Sequence, residues 1–412
     1  MNILIISDFD RLPLEIAKSL ISRGYNTELI TTKDTDFNFS VNISELSERK
    51  LWLKNATRSF FYRNILLNAK PRYSFFQDIN ENSDYYESSK IIKKVKNVPD
   101  VILVLFDYRI LTTNTLNRLY AWSKAKIVWM IPDMKPMTGG CSYAGSCEQY
   151  QFDCNDCPAI GNKVSKIYAK ETLRKKMINL SKFPLEIISG SSYQQQQAQK
   201  SAIFKDKKIH RCFFPSNSNI FKPMDRSFAR DRLGVNTEKK IILFGATSLM
   251  EERKGMKFVL KALKKIEEKY KDKCLLLIVG NGDSTEVKSL QFEKKMLGFL
   301  SYEKLANAYQ AADFFVCPTI DDSGPVMVSQ SIMCGTPVVS FKMGISIDLV
   351  KNGSTGVICE LENEDDLANG IIKMMDLSEK EEHHYMNNCI AVSQHLGFDS
   401  FIIKLNNIID GK

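Results

Sequence analysis

Residues 321–344 read DDSGPVMVSQSIMCGTPVVSFKMG. The apolar run 314–317 just before them has strand length, and a turn holding Ser323 and Gly324 follows. A helix is expected over 325–334, because proline is favoured in a first helical turn. Gly335-Thr336-Pro337 stops it and opens a strand over 337–341. Strand, turn, helix and strand in this order make a βαβ unit, the repeating piece of a parallel sheet covered by helices. The helix start offers backbone N–H groups and a positive dipole end, which suit an anion. Asp322 stands just before the turn, and Gln330 lies about one and a half turns into the helix. On these residues alone two readings stay open. One is a phosphate site around Ser323, Gly324, Pro325 and Val326; the other is an ordinary βαβ turn whose glycine serves only the backbone.

Outward from this unit the same rhythm continues. Strands are expected at 241–245 and 275–279, and a helix at 304–312. Met256, Val259, Leu260, Leu263 and Ile266 recur at helical spacing. In the first half, strands are expected at 2–7, 27–31, 101–106, 127–131 and 186–189. A helix over 13–23 is stopped by Gly24. Two α/β domains follow, 1–218 and 219–390, with the Pro-, Ser- and Asn-bearing stretch 215–225 at the seam. The glutamine patch 194–197 reads as an exposed helix turn.

Residues 45–95 break the rhythm. Trp52, Phe60, Phe61, Tyr62, Tyr73, Phe75 and Phe76 alternate there with Arg58, Arg63, Lys70 and Arg72. Such a stretch either packs into its domain or lies on a membrane surface. The lack of a clean polar face favours packing.

With 412 residues, 44% hydrophobic and 25% charged, the chain suits a soluble globular protein of two or three domains. No apolar run approaches the roughly 18 residues of a membrane span. The start, MNILIISDFD, has neither a basic n-region nor a cleavage site, so a cytoplasmic location is expected. The net charge of +9 suits a phosphate-bearing ligand or an anionic membrane face, or is simply a solvated surface. No nucleic-acid-binding motif is present, and no nucleic-acid partner is expected.

The segment 321–344 resembles the donor-site signature of glycosyltransferase family 4, retaining enzymes of the GT-B fold. Their pattern is an acid, seven residues, a glutamate, then a small-residue helix running into C-G-T-P-V-V. The resemblance implies that Asp322 faces the donor sugar and that position 330 holds the ribose hydroxyls. Gln330 departs from the family's glutamate, although an amide can still hydrogen-bond a diol. FGATSLMEERKGMKFVLKAL, at 244–263, resembles the first strand, loop and helix of the family's donor domain. Gly245 is then the strand glycine of the donor site, and Lys254 the lysine that neutralises the diphosphate. Ala246 stands where the family often has arginine, and Arg253 either supplies that charge or is an exposed helix-start residue. LLLIVGNGD at 275–283, LGFLSYEKLANAYQAADFFVCPT at 297–319 and DLVKNGSTGVIC at 348–359 match further segments. Phe299 to Ser301 fall where the family's backbone meets the base.

In the first half, WMIPDMKPMTGGCSYAGSCEQYQFDCNDCPAI, at 129–160, resembles a subgroup active in exopolysaccharide synthesis, including colanic-acid-type enzymes. Pro132 replaces that subgroup's acceptor-side histidine, and the loop 8–12 lacks the usual glycine pair. Asp133 is a candidate for orienting an acceptor hydroxyl, or for capping the loop.

The resemblance implies an α/β protein of the GT-B class: two Rossmann-like domains facing across a cleft. The first domain is on the acceptor side, the second holds a nucleotide-sugar, and 391–412 cross back to the first. The implied reaction moves a sugar, with retention, to a saccharide or lipid-linked saccharide in surface polysaccharide synthesis, at the inner membrane face. It needs no cofactor for transfer; Lys254 and the N–H groups of 324–326 stabilise the leaving diphosphate. The alternative is a nucleotide-sugar-binding protein without transfer activity. A Rossmann dehydrogenase is disfavoured, since no G-x-G-x-x-G follows the first strand.

Four of the ten cysteines, Cys141, Cys147, Cys154 and Cys157, fall within 17 positions of the 138–160 insertion. In a reducing compartment such a cluster suits a structural zinc, with free thiols as the other reading. The remaining six read as small core residues. Asp8-Phe9-Asp10 and Asp34-Thr35-Asp36 mimic a metal-binding D-x-D but sit in ordinary acidic turns. The histidines, His210, His383, His384 and His395, show no ligand spacing.

Overall fold

The computed structural model describes residues 1–8, 11–46, 81, 84–106, 110–160, 163–235, 237–282 and 285–411. Most of the aromatic-basic stretch, including all eleven residues named in it above, lies outside the described residues, as do Phe9 and Asp10. The chain divides into two compact units. Met1–Gly190, Gln194–Cys212 and Ile402–Lys412 form the first; Ser191–Tyr193 and Phe213–Phe401 form the second. The seam thus falls at 212–213 rather than after 218, and the stretch rejoining the first unit starts at Ile402 rather than 391.

The first unit is built on a seven-stranded parallel sheet: β1 (Asn2–Ile6), β2 (Asn26–Thr31), β3 (Ser40–Asn42), β4 (Val101–Val104), β5 (Lys126–Ile131), β6 (Leu185–Ser189) and β7 (Lys208–Arg211). Their order is β3-β2-β1-β4-β5-β6-β7. The central strands are almost wholly buried on both faces, as a parallel sheet between helices requires. The last helix, Phe398–Asp410, reaches this unit at its C-terminal end, where Lys126 Nζ donates to the Ile408 carbonyl at 2.5 Å. A cation at a helix C-terminus is favoured by the dipole.

The second unit carries a six-stranded parallel sheet: β8 (Lys240–Ser248), β9 (Cys274–Asn281), β10 (Glu293–Gly298), β11 (Phe314–Cys317), β12 (Val338–Phe341) and β13 (Gly356–Cys359). The order β10-β9-β8-β11-β12-β13 is that of a Rossmann half, with the direction of winding reversing between β8 and β11. Asp313 closes the N-terminal edge of this sheet. It accepts from the Ile241 amide at 2.6 Å and pairs with Arg226 and Arg230 at 2.6 and 2.9 Å. The opposite, C-terminal edge is left for the loops.

The expected strands and helices appear with ends shifted by a few residues. β3, β7, β10 and β13 were not expected. All four are edge strands, and β10, EKKMLG, carries the charges that blunt an exposed edge and hide the apolar signal. Gln194 corrects the reading of 194–197 as an exposed turn. It is fully buried, accepting from the Gly190 amide and donating to the Ile131 carbonyl, both at 2.8 Å.

Candidate functional site

In an open parallel sheet, ligands bind outside the carboxyl ends of the strands at the point where the order reverses. In the second unit that point lies between β8 and β11. The loop after β8 brings Arg253 and Lys254, and the loop after β11 brings Asp322. One carboxylate joins them. Asp322 Oδ2 accepts from Lys254 Nζ and Arg253 Nη1, each at 2.7 Å, while Oδ1 accepts from the Gly324 amide at 3.0 Å. Burial raises the Asp322 pKa, but the Lys254 and Arg253 charges and these hydrogen bonds outweigh it. The carboxyl is held below its usual range and stays ionised.

Backbone packing fixes this geometry. The Ile320 amide donates to the Arg253 carbonyl at 2.8 Å, stitching the two loops. Gly255 has φ +71°, and a Cβ there would fall 1.8 Å from the Pro318 carbonyl oxygen. Gly344, at φ +53°, presses on the turn from the end of β12; its Cβ would lie 2.8 Å from the Asp322 carbonyl oxygen. Neither glycine was singled out from the sequence. The glycine directly after Lys254, at a helix start, was the available signal. Glu251 was missed as well: it pairs with Arg253 Nε at 2.6 Å. Arg253 is therefore not an exposed helix-start residue. Its side chain is 13% exposed and tied to Glu251, to Asp322 and to the Asp321 carbonyl.

The helix after the turn runs Val326–Met333 with Pro325 as its N-cap, and no side chain caps it. The first N–H groups of a helix have no acceptor within it and point outward. Gly324 is not demanded by packing, since a Cβ would meet only Ile345 Cβ at 3.6 Å. It keeps the approach to those N–H groups open. The Ser323 Oγ and Gln330 Oε1 atoms are buried and, among the described residues, have no hydrogen-bond partner. Gln330 is 4% exposed, so it is an enclosed amide and not a helix-surface one. Buried polar atoms without partners are uncommon and call for an explanation such as a ligand.

Gly245 serves strand packing, because a Cβ there would fall 2.0 Å from the Val279 carbonyl oxygen. Phe299 follows the end of β10 and is 66% exposed, a free aromatic face beside the C-terminal edge. Asp133 belongs to the first unit, after β5, where its Oδ1 accepts from the Lys135 amide at 2.8 Å. That is the loop-capping arrangement. Of the acidic turns, Asp8 hydrogen-bonds the Thr32 hydroxyl and Asp34 accepts from Asn42 at 2.5 Å.

The four clustered cysteines also lie in the first unit and line one small cavity. The Cys141 thiol is held well above its ordinary value by its hydrogen bond to Cys157 and by burial; burial pushes the Cys154 thiol up to about 12. Cys212, Cys274, Cys317, Cys334, Cys359 and Cys389 are buried. Among the described residues, no helix is long and apolar enough to cross a membrane.

Residues 225–389 match the family model described as Glycosyl transferases group 1. An uncharacterized glycosyltransferase of Methanocaldococcus jannaschii is 26% identical, over 35% of this chain and 38% of that protein. N-acetyl-alpha-D-glucosaminyl L-malate synthase of Bacillus anthracis is 21% identical, over 54% of this chain and 59% of that one. The chain thus spans less than two thirds of the length of these curated relatives. The crystal structure of Anabaena HepE in complex with UDP is similar over 100% of both chains, with a TM-score of 0.66 at 14% identity. Likeness at that identity establishes the fold, two Rossmann-like units of the GT-B class.

Proposed function

We propose that this protein is a glycosyltransferase that takes its sugar from a nucleotide-sugar held by the second unit. The observation that carries the reading is the Asp322 carboxylate at the sheet's reversal point, holding Lys254 and Arg253 beside an uncapped helix N-terminus. Two cations and outward N–H groups suit a diphosphate. The family match covers the same residues. Lys254 and the N–H groups at Gly324 to Val326 bind the leaving diphosphate and stabilise the charge that grows on it as the sugar–phosphate bond breaks. Ser323 and Gln330 supply the buried polar atoms for sugar and ribose hydroxyls, and Phe299 offers a face to the base. Arg253 provides the second cation that Ala246 does not.

The finer assignments follow the family 4 resemblance. Transfer proceeds with retention of configuration, and no cofactor takes part. The acceptor is a saccharide or lipid-linked saccharide of an exopolysaccharide of the colanic-acid type, met at the cytoplasmic membrane face. Asp133 is assigned to orient the acceptor hydroxyl. UDP-sugars are the first donors to test, since UDP is the ligand named for the Anabaena structure.

A second reading, a nucleotide-sugar-binding protein without transfer, is favoured by the balance of charge. Arg253 and Lys254 are already matched by Glu251 and Asp322, and Pro132 replaces the subgroup histidine. Nucleoside diphosphate release from a panel of UDP-, GDP- and ADP-sugars, with and without saccharide acceptors, decides between them. Acceptor-dependent release supports transfer. Tight binding without release supports the second reading, and neither binding nor release overturns both.

A further inference from the structure

We propose that Cys141, Cys147, Cys154 and Cys157 hold one zinc ion, and that this ion organises the loop that carries Asp133. Among the described residues, the loop after β5 runs to the helix Lys163–Leu180 with two short 3₁₀ turns, Lys135–Met137 and Gln149–Gln151. A structureless connection of this length inside a compact unit needs something other than a sheet or helix to hold it. All four cysteines line one cavity of about 20 Å³. That volume admits a single water-sized atom. It suits one tetrahedral ion. With the side chains as they stand, no three acidic, His or Cys groups among the described residues converge closely enough to hold an ion. The site closes by turning the thiols into the cavity they already surround.

Two further features fit this. Cys154 adopts φ +53°, a left-handed conformation rare for a buried non-glycine residue. Such a conformation persists only where its surroundings over-determine it. Lys176 is also buried, donating to the Lys135 and Thr138 carbonyls at 2.7 and 2.8 Å. As four thiols each lose a proton to solvent and four Zn–S bonds form, the site gains two net negative charges. Lys176 lies close enough for its charge to act on Cys154 and offsets part of them.

The loop's bonds run from the cysteines to the turn. Thr138 Oγ1 donates to the Cys141 carbonyl at 2.8 Å, and the Met134 amide to the Ser142 carbonyl at 3.0 Å. The ion is therefore structural, a positioning device for the end of β5.

The inference does not depend on nucleotide binding, and its test does not use it. The full chain, purified without chelator, should contain about one zinc per chain. Cobalt exchanged for zinc should give thiolate-to-metal charge-transfer bands and the visible bands of a tetrahedral ion. Cys154→Ser should lose both. If that variant does not fold, the cobalt spectrum and metal content of the parent decide alone. Folded parent protein that carries no metal and takes up no cobalt overturns the proposal. So does a disulfide found by mass spectrometry between any two of the four, or iron in place of zinc.

Discussion

Replacing Lys254 by alanine separates the cation's role in ligand binding from its role in the fold. Its Nζ lies 2.7 Å from Asp322 Oδ2, in a side chain 19% exposed. Removal does not strand the carboxylate, because Arg253 Nη1 at 2.7 Å and the Gly324 amide at 3.0 Å remain. Breaking a buried pair costs about 3–5 kcal/mol when the partner is left alone. Asp322 is not left alone, so the stability loss should be about 1–2 kcal/mol, near that of one net hydrogen bond. A diphosphate, by contrast, loses a charge-assisted hydrogen bond worth about 1.5–3 kcal/mol. That is a weakening of roughly 10- to 150-fold in Kd. Isothermal titration with UDP, or with whichever nucleoside diphosphate binds the parent, gives the affinity, and thermal unfolding gives the stability. A variant that unfolds near the parent temperature and binds the nucleotide equally well refutes the assignment of Lys254 to the diphosphate.

Gln330→Ala should affect its two readouts unequally: about 1–3 kcal/mol weaker nucleotide binding, with little loss of stability, because the deleted Oε1 has no partner to lose. Equal binding by titration calorimetry would leave the amide without a ligand role. Gly324→Ala and Gly255→Ala should part company. The first meets only Ile345 Cβ at 3.6 Å and should fold normally while binding nucleotide less well; the second places Cβ 1.8 Å from a backbone oxygen at positive φ and should unfold at much lower temperature. Similar unfolding temperatures for the two would contradict the close approach at Gly255. Acid should also act through Asp322. Its folded-state pKa is depressed, so its ion pairs contribute stability above the unfolded carboxylate value and lose it as pH falls through the lower folded value. In Asp322→Asn, denaturant unfolding followed from neutral to acid pH should show a smaller loss than in the parent; an equal loss would remove Asp322 from the acid response.

The segment 321–344 was legible because its signals are local. A strand-length apolar run, a Ser-Gly turn, a proline and a G-T-P stop follow in the order the backbone needs. Asp322 and Lys254 could be picked out because each sits in its own short motif. Their meeting on one carboxylate was not legible, since it depends on β8 and β11 being neighbours across a long stretch of chain. The same holds for Glu251 beside Arg253, and for Gly344 against the Asp322 carbonyl. Each is a tertiary approach that no spacing encodes. Gln194 misled for the opposite reason. Its composition suggested solvent, but one amide satisfies two backbone groups at the ends of β5 and β6, and only the fold brings those ends together.

The proposed function places a nucleoside diphosphate on the second unit, at the β8–β11 reversal. A crystal structure of the protein soaked with UDP or a UDP-sugar tests it most directly. Phosphate oxygens should lie within hydrogen-bonding distance of Lys254 Nζ and the Val326 amide, with the ribose against Gln330 and the base beside Phe299. Nucleotide density elsewhere, with Lys254 and Arg253 still closed on Asp322 and Gln330 still without a partner, would contradict it.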